Sequence, residues 1–311
     1  MGRNKEFKKI DEQVDILINK GLIINDKDYA KEVLFRENYF FLNGYRHLLI
    51  KSETDKTYIK GASFEELYSI FLFDRSFRNI LFKNILIIEN NIKSIMSYEL
   101  SLKYGYREKD YLNYKNFSNN PNKYRQVVDV VKKIKRQVKS NATSHSATMH
   151  YVNNYGYIPL WVLVKVLSFG LIGEFFAILK EEDKDKIADI YNLDSNVLSN
   201  YLVLLSNYRN ICAHEDIVYE NRTQRMIEDT RFHRLLNIPI TNGEYIYGKC
   251  DVFALIIVMK CMLNKDDFKN LSLEIERVIK NLEMNLFSIK IDKVLDRMGF
   301  PVNWKDLVEY N

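Results

Sequence analysis

The chain has 311 residues, 47% hydrophobic and 28% charged, an ordinary globular balance that excludes collagen-like, disordered and disulfide-scaffold classes. Its 46 Lys and Arg against 41 Asp and Glu leave a formal charge of +5, compatible with an anionic partner without requiring one. With only 4 prolines and 11 glycines, too few to punctuate a large all-β protein, helices are expected throughout.

Cys212, Cys250 and Cys261 show no CxxC spacing, which suits a reducing compartment better than a zinc ribbon or a secreted framework. The first residues are polar and basic, without the apolar run of a signal peptide. The apolar stretch 160–179 contains Lys165 and Glu174 and is interrupted by Ser168-Phe169-Gly170, so it reads as a buried helix pair rather than a membrane span. A cytoplasmic protein without a membrane partner is the expectation.

In chain order, Ile10, Val14, Leu17 and Ile18 predict a short helix closed by Gly21, and residues 28–36 predict a second. Residues 39–47 are aromatic-rich and turn on Gly44. Ser63-Phe64-Glu65-Glu66 has the form of a capping box that opens a long helix. The stripe Leu67, Ile70, Phe77, Leu81, Ile85 and Ile88 carries that helix toward Tyr104, with Gly105 as its stop. Residues 106–158 read as an inserted, mobile segment carrying one basic helix. Pro159 can start the next helix, and Ser195 caps another whose Leu198, Tyr201, Leu202, Leu205, Tyr208 and Cys212 face a core. Asn242-Gly243 can close a small hairpin near 238–247, and helices near 251–263 and 267–287 follow before Gly299-Phe300-Pro301 ends the last. The plan is an all-α chain with an N-terminal helical region (1–60), a core (61–230, with the basic insertion near 106–158) and a C-terminal helical region (231–311).

The sharpest local signal is Arg209-Asn210-Ile211-Cys212-Ala213-His214 at the end of an amphipathic helix. Histidine titrates near neutrality and can exchange protons with an RNA 2′-hydroxyl or a leaving 5′-oxygen, while arginine can clamp the scissile phosphate. At 100° per residue Asn210 and His214 share a face and Arg209 points away, so two facing helices across a two-fold axis focus Arg and His better than one. The plain alternative is a helix C-terminus that uses His and Arg against its dipole. Asp74, Arg75 and Arg78 on the long helix, with Glu89 in its apolar run, are candidate supporting polar residues. Otherwise they form a surface ion-pair face and a buried polar contact. His145 and His150 have no acidic or thiol partner nearby, so no metal ligand is read. No Walker A, GxGxxG, HExxH or GxSxG pattern occurs, and no cofactor is expected. The 21 tyrosines can stack on bases, although at helical spacing they serve a core equally well.

Several segments together resemble the abortive-infection Abi-like family (the AbiD/AbiF group) within the HEPN ribonuclease superfamily. They are Asn38-Tyr39-Phe40-Phe41-Leu42-Asn43-Gly44-Tyr45, Phe64-Glu65-Glu66-Leu67-Tyr68 running into Phe73-Asp74-Arg75-Ser76-Phe77-Arg78, and Pro159-Leu160-Trp161-Val162-Leu163 with Leu167-Ser168-Phe169-Gly170. The Arg209–His214 hexapeptide and Gly299-Phe300-Pro301-Val302-Asn303-Trp304 complete the set. The resemblance implies a HEPN-type helical bundle and a metal-independent endoribonuclease toxin of phage defence. Arg209 and His214 would be its catalytic pair and Asn210 the motif's polar residue, and a small structured RNA would restrain it. The rival readings are a non-catalytic RNA-binding module and a dimer-interface network. Lys132, Lys133, Lys135, Arg136 and Lys139 are the candidate RNA contacts, four of them (132, 135, 136 and 139) at one-face spacing. The other reading of that run is a solvated insertion without a partner.

Overall fold

The Ser63 hydroxyl accepts the N–H of Glu66 at 3.1 Å and opens a helix of 41 residues, Phe64–Tyr104, that stops at Gly105 with φ 93°. At 1.5 Å per residue this long helix is about 60 Å from end to end. The computed structural model describes residues 6–310, and within them 15 α-helices accompany one two-stranded hairpin. The hairpin pairs Ile240–Thr241 with Glu244–Tyr245, and Asn242 and Gly243 supply the positive φ values its turn requires. No helix among the described residues is long and apolar enough to cross a membrane.

The long helix is the axis of the molecule. Its stripe from Leu67 through Phe77, Ile85 and Ile92 to Met96 is fully buried. Against it lie Lys265–Glu283, Ser195–Ala213 (the motif helix), Val252–Met262 and the short turn Leu160–Leu163. Val252–Met262 is apolar all round except for Lys260 in its last turn, and nine of its eleven residues are buried accordingly. The terminal helices Ile10–Asn19 and Lys27–Glu37 pack on each other at one end.

The structure corrects several expectations. Glu66 does not complete a capping box: its fully buried carboxylate accepts from the N–H groups of Phe287 and Ser288, each at 2.9 Å, and from the Ser288 hydroxyl at 2.6 Å. Three donors from a distant turn outcompete one local N–H. The last long helix ends at Glu283, and a further helix, Ile291–Met298, follows before Gly299.

Residues 106–158 carry three α-helices, Glu108–Tyr111, Tyr124–Asn141 and Ser146–Tyr155, where one was expected. The basic helix, Tyr124–Asn141, buries Val127, Val130, Val131 and Ile134 against the helix Phe169–Ala177. Those four positions form a helical apolar stripe that the surrounding lysines hide from composition.

Candidate functional site

The motif helix, Ser195–Ala213, is capped one residue earlier than expected, because Asp194 rather than Ser195 accepts the N–H of Asn196 at 2.7 Å. Ser195 is instead buried in the first turn. Leu198, Tyr201, Leu202, Leu205, Tyr208 and Cys212 face the core as their spacing requires. The helix Phe169–Ala177, capped by Ser168, crosses it closely. A Cβ on Gly170 would stand 3.2 Å from the Ser206 hydroxyl, so a larger residue would push the helices apart. Burial pushes the Cys212 thiol up to about 12, which makes it a packing residue rather than a nucleophile.

The helix ends in a tight turn. Asp216 N–H bonds the Ile211 carbonyl at 3.1 Å and Glu215 N–H the Cys212 carbonyl at 3.4 Å, a Schellman arrangement with His214 at the cap. Glu215 occupies the left-handed position usually given to glycine, with φ 58°. The chain then runs straight into a buried polar hub.

Asp74 is fully buried at the centre of that hub. Its carboxylate accepts from Tyr219 N–H at 2.7 Å, Val218 N–H at 3.2 Å, the Tyr45 hydroxyl at 2.8 Å and Arg78 Nη1 at 3.1 Å. Burial pushes the Asp74 carboxyl upward, and the Tyr45, Tyr219 and Arg78 donors oppose that push. Arg78 Nη1 also donates to the Asp216 carbonyl at 3.1 Å. Asp74 and Arg78 are therefore interior residues of the long helix, not a surface ion-pair face. The Tyr45 ring stacks on Tyr219 with centroids 5.9 Å apart. Gly44 lets this aromatic segment close in, since a Cβ there would lie 2.8 Å from Ile217. Next to it, His47 Nδ1 sits 2.7 Å from a Glu220 carboxylate oxygen, whose other oxygen is 3.0 Å from Arg297. Arg75 lies outside the hub and forks onto Glu37 at 3.0 and 2.5 Å.

Arg209 and His214 are held differently. The Arg209 side chain is half-buried, with Nε 3.7 Å from Glu89 and the guanidinium 5.8 Å from the Phe82 ring centroid. Glu89 is buried and accepts from Lys93 Nζ at 2.6 Å, while its second oxygen, toward Arg209, has no hydrogen-bond donor among the described residues. His214 and Asn210 are exposed, joined by the helical bond from His214 N–H to the Asn210 carbonyl at 2.9 Å. They continue an exposed row formed by Asn196, Val203 and Asn207, at spacings of seven, four, three and four residues.

On the basic helix, Lys132, Lys135, Arg136 and Lys139 are exposed. Lys133 is drawn away: its ammonium lies 2.8 Å from Glu174 and 3.4 Å from Asp129. The residues missed in the sequence are Tyr45, Gly44 and the backbone of 216–219. The available signal was an Asp–Arg pair at i, i+4 whose members each directly follow a phenylalanine, Phe73 and Phe77, of the helix's apolar side, where a surface pair is out of place.

The all-α chain thus gathers an aromatic segment, a buried Asp–Arg pair and an Arg-Asn-x3-His helix end along one path. The family model of the Abi-like proteins matches residues 32–220, more than half the chain. The chain belongs to the Abi-like protein family, which links it to abortive infection, a form of phage defence. The match takes in every hub residue from Tyr45 to Glu220 and stops short of the hairpin. No curated protein and no solved structure matches the chain.

Proposed function

We propose that this chain is a metal-independent endoribonuclease toxin of the HEPN type, acting as a homodimer and restrained by a small structured RNA. The observation that carries the reading is a contrast in how the polar residues are used. Asp74 and Arg78 are consumed in holding the turn, whereas Arg209 is only loosely tied to Glu89 and His214 makes no side-chain hydrogen bond among the described residues.

In the proposed reaction one imidazole takes the 2′-hydroxyl proton as the 2′-oxygen attacks phosphorus. The P–O5′ bond breaks, and a second, protonated imidazole delivers a proton to the leaving 5′-oxygen. The products are a 2′,3′-cyclic phosphate and a 5′-hydroxyl. Arg209 stabilises the charge gathering on the phosphoryl oxygens. One chain supplies one Arg-x4-His motif, so two such imidazoles come from two chains, and the exposed row ending in Asn210 and His214 is the face on which a two-fold axis would bring a second copy into register.

The test is purified protein incubated with RNA in EDTA. Cleavage is expected to persist with the chelator and to vanish in His214→Ala and in Arg209→Ala. RNA that binds but stays intact would replace the enzyme with a binding module.

A further inference from the structure

Away from the motif, rings gather on the surface just beyond the end of the long helix. Tyr106 lies 5.6 Å from Tyr157 and 5.8 Å from Trp161 between ring centroids, and Tyr155 lies 6.4 Å from Tyr157. These are not core rings: Tyr155 is 58% exposed, Trp161 47% and Tyr106 41%. The Arg107 guanidinium sits among them, 5.1 Å over Tyr157 and 5.9 Å over Tyr106.

The platform is fixed from beneath. Glu108 turns inward and accepts the Ile158 N–H at 2.5 Å, while the buried Tyr111 hydroxyl donates to the Ile158 carbonyl at 2.8 Å. The two segments bearing the rings are thus clamped at one residue, and Glu108 is withdrawn from the surface around Arg107. The same segment runs on to Tyr114, whose ring has Lys135 of the basic helix 5.3 Å from its centroid. A cleft of about 360 Å³ lies here, with Glu108, Lys109, Tyr114 and Lys135 among the residues of its walls, the Glu108 carboxylate being turned to Ile158 N–H.

We infer that this surface binds single-stranded RNA, its rings stacking on unpaired bases while Arg107 and the basic helix take the phosphates. The inference rests on the reading of the chain as an RNA-handling protein and adds the form of RNA it takes. A cation held among exposed rings, beside a row of lysines, suits a polyanion whose bases have π faces. An apolar protein surface would have to desolvate Arg107 without compensation. Stacking does not discriminate strongly among bases, so the surface selects for unpaired strand rather than for sequence.

The probe is a 2′-O-methyl oligoadenylate of about 12 nucleotides, within the usual single-strand site size. It lacks the attacking hydroxyl, so binding is read apart from cleavage. Only two tryptophans are present, and Trp304 is buried, so Trp161 dominates any change in indole emission on binding. Addition of the single strand is expected to quench emission in the wild type but not in Trp161→Phe, and the duplex form should quench little. Tyr106→Ala combined with Tyr155→Ala, both exposed, should weaken binding about 10-fold or more with the circular dichroism unchanged. Equal affinity of that double variant, or equal affinity for duplex, would overturn the platform while leaving the RNA reading intact. Binding through the rings without cleavage of ordinary RNA would remove the nuclease reading and leave the platform. A wild type that binds neither strand nor duplex would overturn the platform and point to a protein as the occupant of this face.

Discussion

The Asp74 carboxylate accepts the backbone N–H of Tyr219 at 2.7 Å, so the first third of the sequence-distant long helix sets the path of the chain five residues beyond His214. The relationship makes the turn after the motif a product of the interior. Replacing Asp74 by Asn leaves Arg78 buried without its counter-charge and sets an amide N–H₂ against other donors. The expected cost is about 3–5 kcal/mol of unfolding free energy, read as a lower denaturant midpoint. Adding Arg78→Met should recover part of the loss, a non-additivity that a double-mutant cycle measures. Simple additivity would mean that the two residues act independently.

Glu215 holds a left-handed backbone conformation, φ 58°, in which its Cβ crowds the following carbonyl. Glycine has no such penalty and is the usual occupant of this position in a Schellman turn. Glu215→Gly is therefore expected to raise stability by up to about 1 kcal/mol, seen as a higher urea midpoint at unchanged slope. A lower midpoint would show that the Glu215 side chain contributes more than its backbone loses.

His233 is fully buried, with Nδ1 accepting from Thr230 N–H at 3.0 Å and Nε2 2.9 Å from the Gly248 carbonyl, a pattern met by the neutral ring. Burial pushes its pKa below the ordinary 6.5, and the nearby Lys249 lowers it further, against the opposing Gly248 bond and Asp229. Below pH 6.5 the unfolded chain therefore binds a proton that the folded chain resists, and stability falls as pH falls through that range. His233→Gln keeps a donor and cannot charge. The wild type should lose more stability than this variant between pH 7.5 and 5.5, a difference checked by thermal unfolding at each pH. Parallel losses would place the sensitivity elsewhere.

Four exposed cations on the basic helix, Lys132, Lys135, Arg136 and Lys139, are free to meet phosphates, whereas Lys133 is committed to Glu174. Changing the four to Gln should flatten the slope of log K against log salt by roughly 3 for single-stranded RNA, at about 0.7 per phosphate contact. Lys133→Gln should leave the slope nearly as it was. Fluorescence anisotropy across a salt series measures both. An unchanged slope in the fourfold variant would remove this helix from the RNA path.

Much of the architecture follows from local chemistry and was legible for that reason. Ser63 and Gly105 bound the long helix because an N-cap hydroxyl and a positive φ are properties of single residues. Asn242-Gly243 turns the hairpin on the same grounds. The face of the motif helix was legible because 3.6-residue periodicity suffices to sort Leu205 inward from Asn207 outward. What escaped depends on partners far along the chain. Nothing near Asp74 indicates that its donors come from 218 and 219, or that Gly44 is small because Ile217 approaches it. Charge also misled in one place, since the lysines of 132–139 masked an apolar stripe that anchors the helix.

Glu66 finds its hydrogen-bond donors at residues 287–289, more than two hundred residues later. A nascent chain therefore carries the first turn of this helix with a carboxylate that no native donor has yet met, until residues 287–289 have emerged from the ribosome. Burying that carboxylate unmatched would cost more than leaving it hydrated. The start of the long helix and the turn at 287–288 then close together, and only once the intervening two hundred residues have been made.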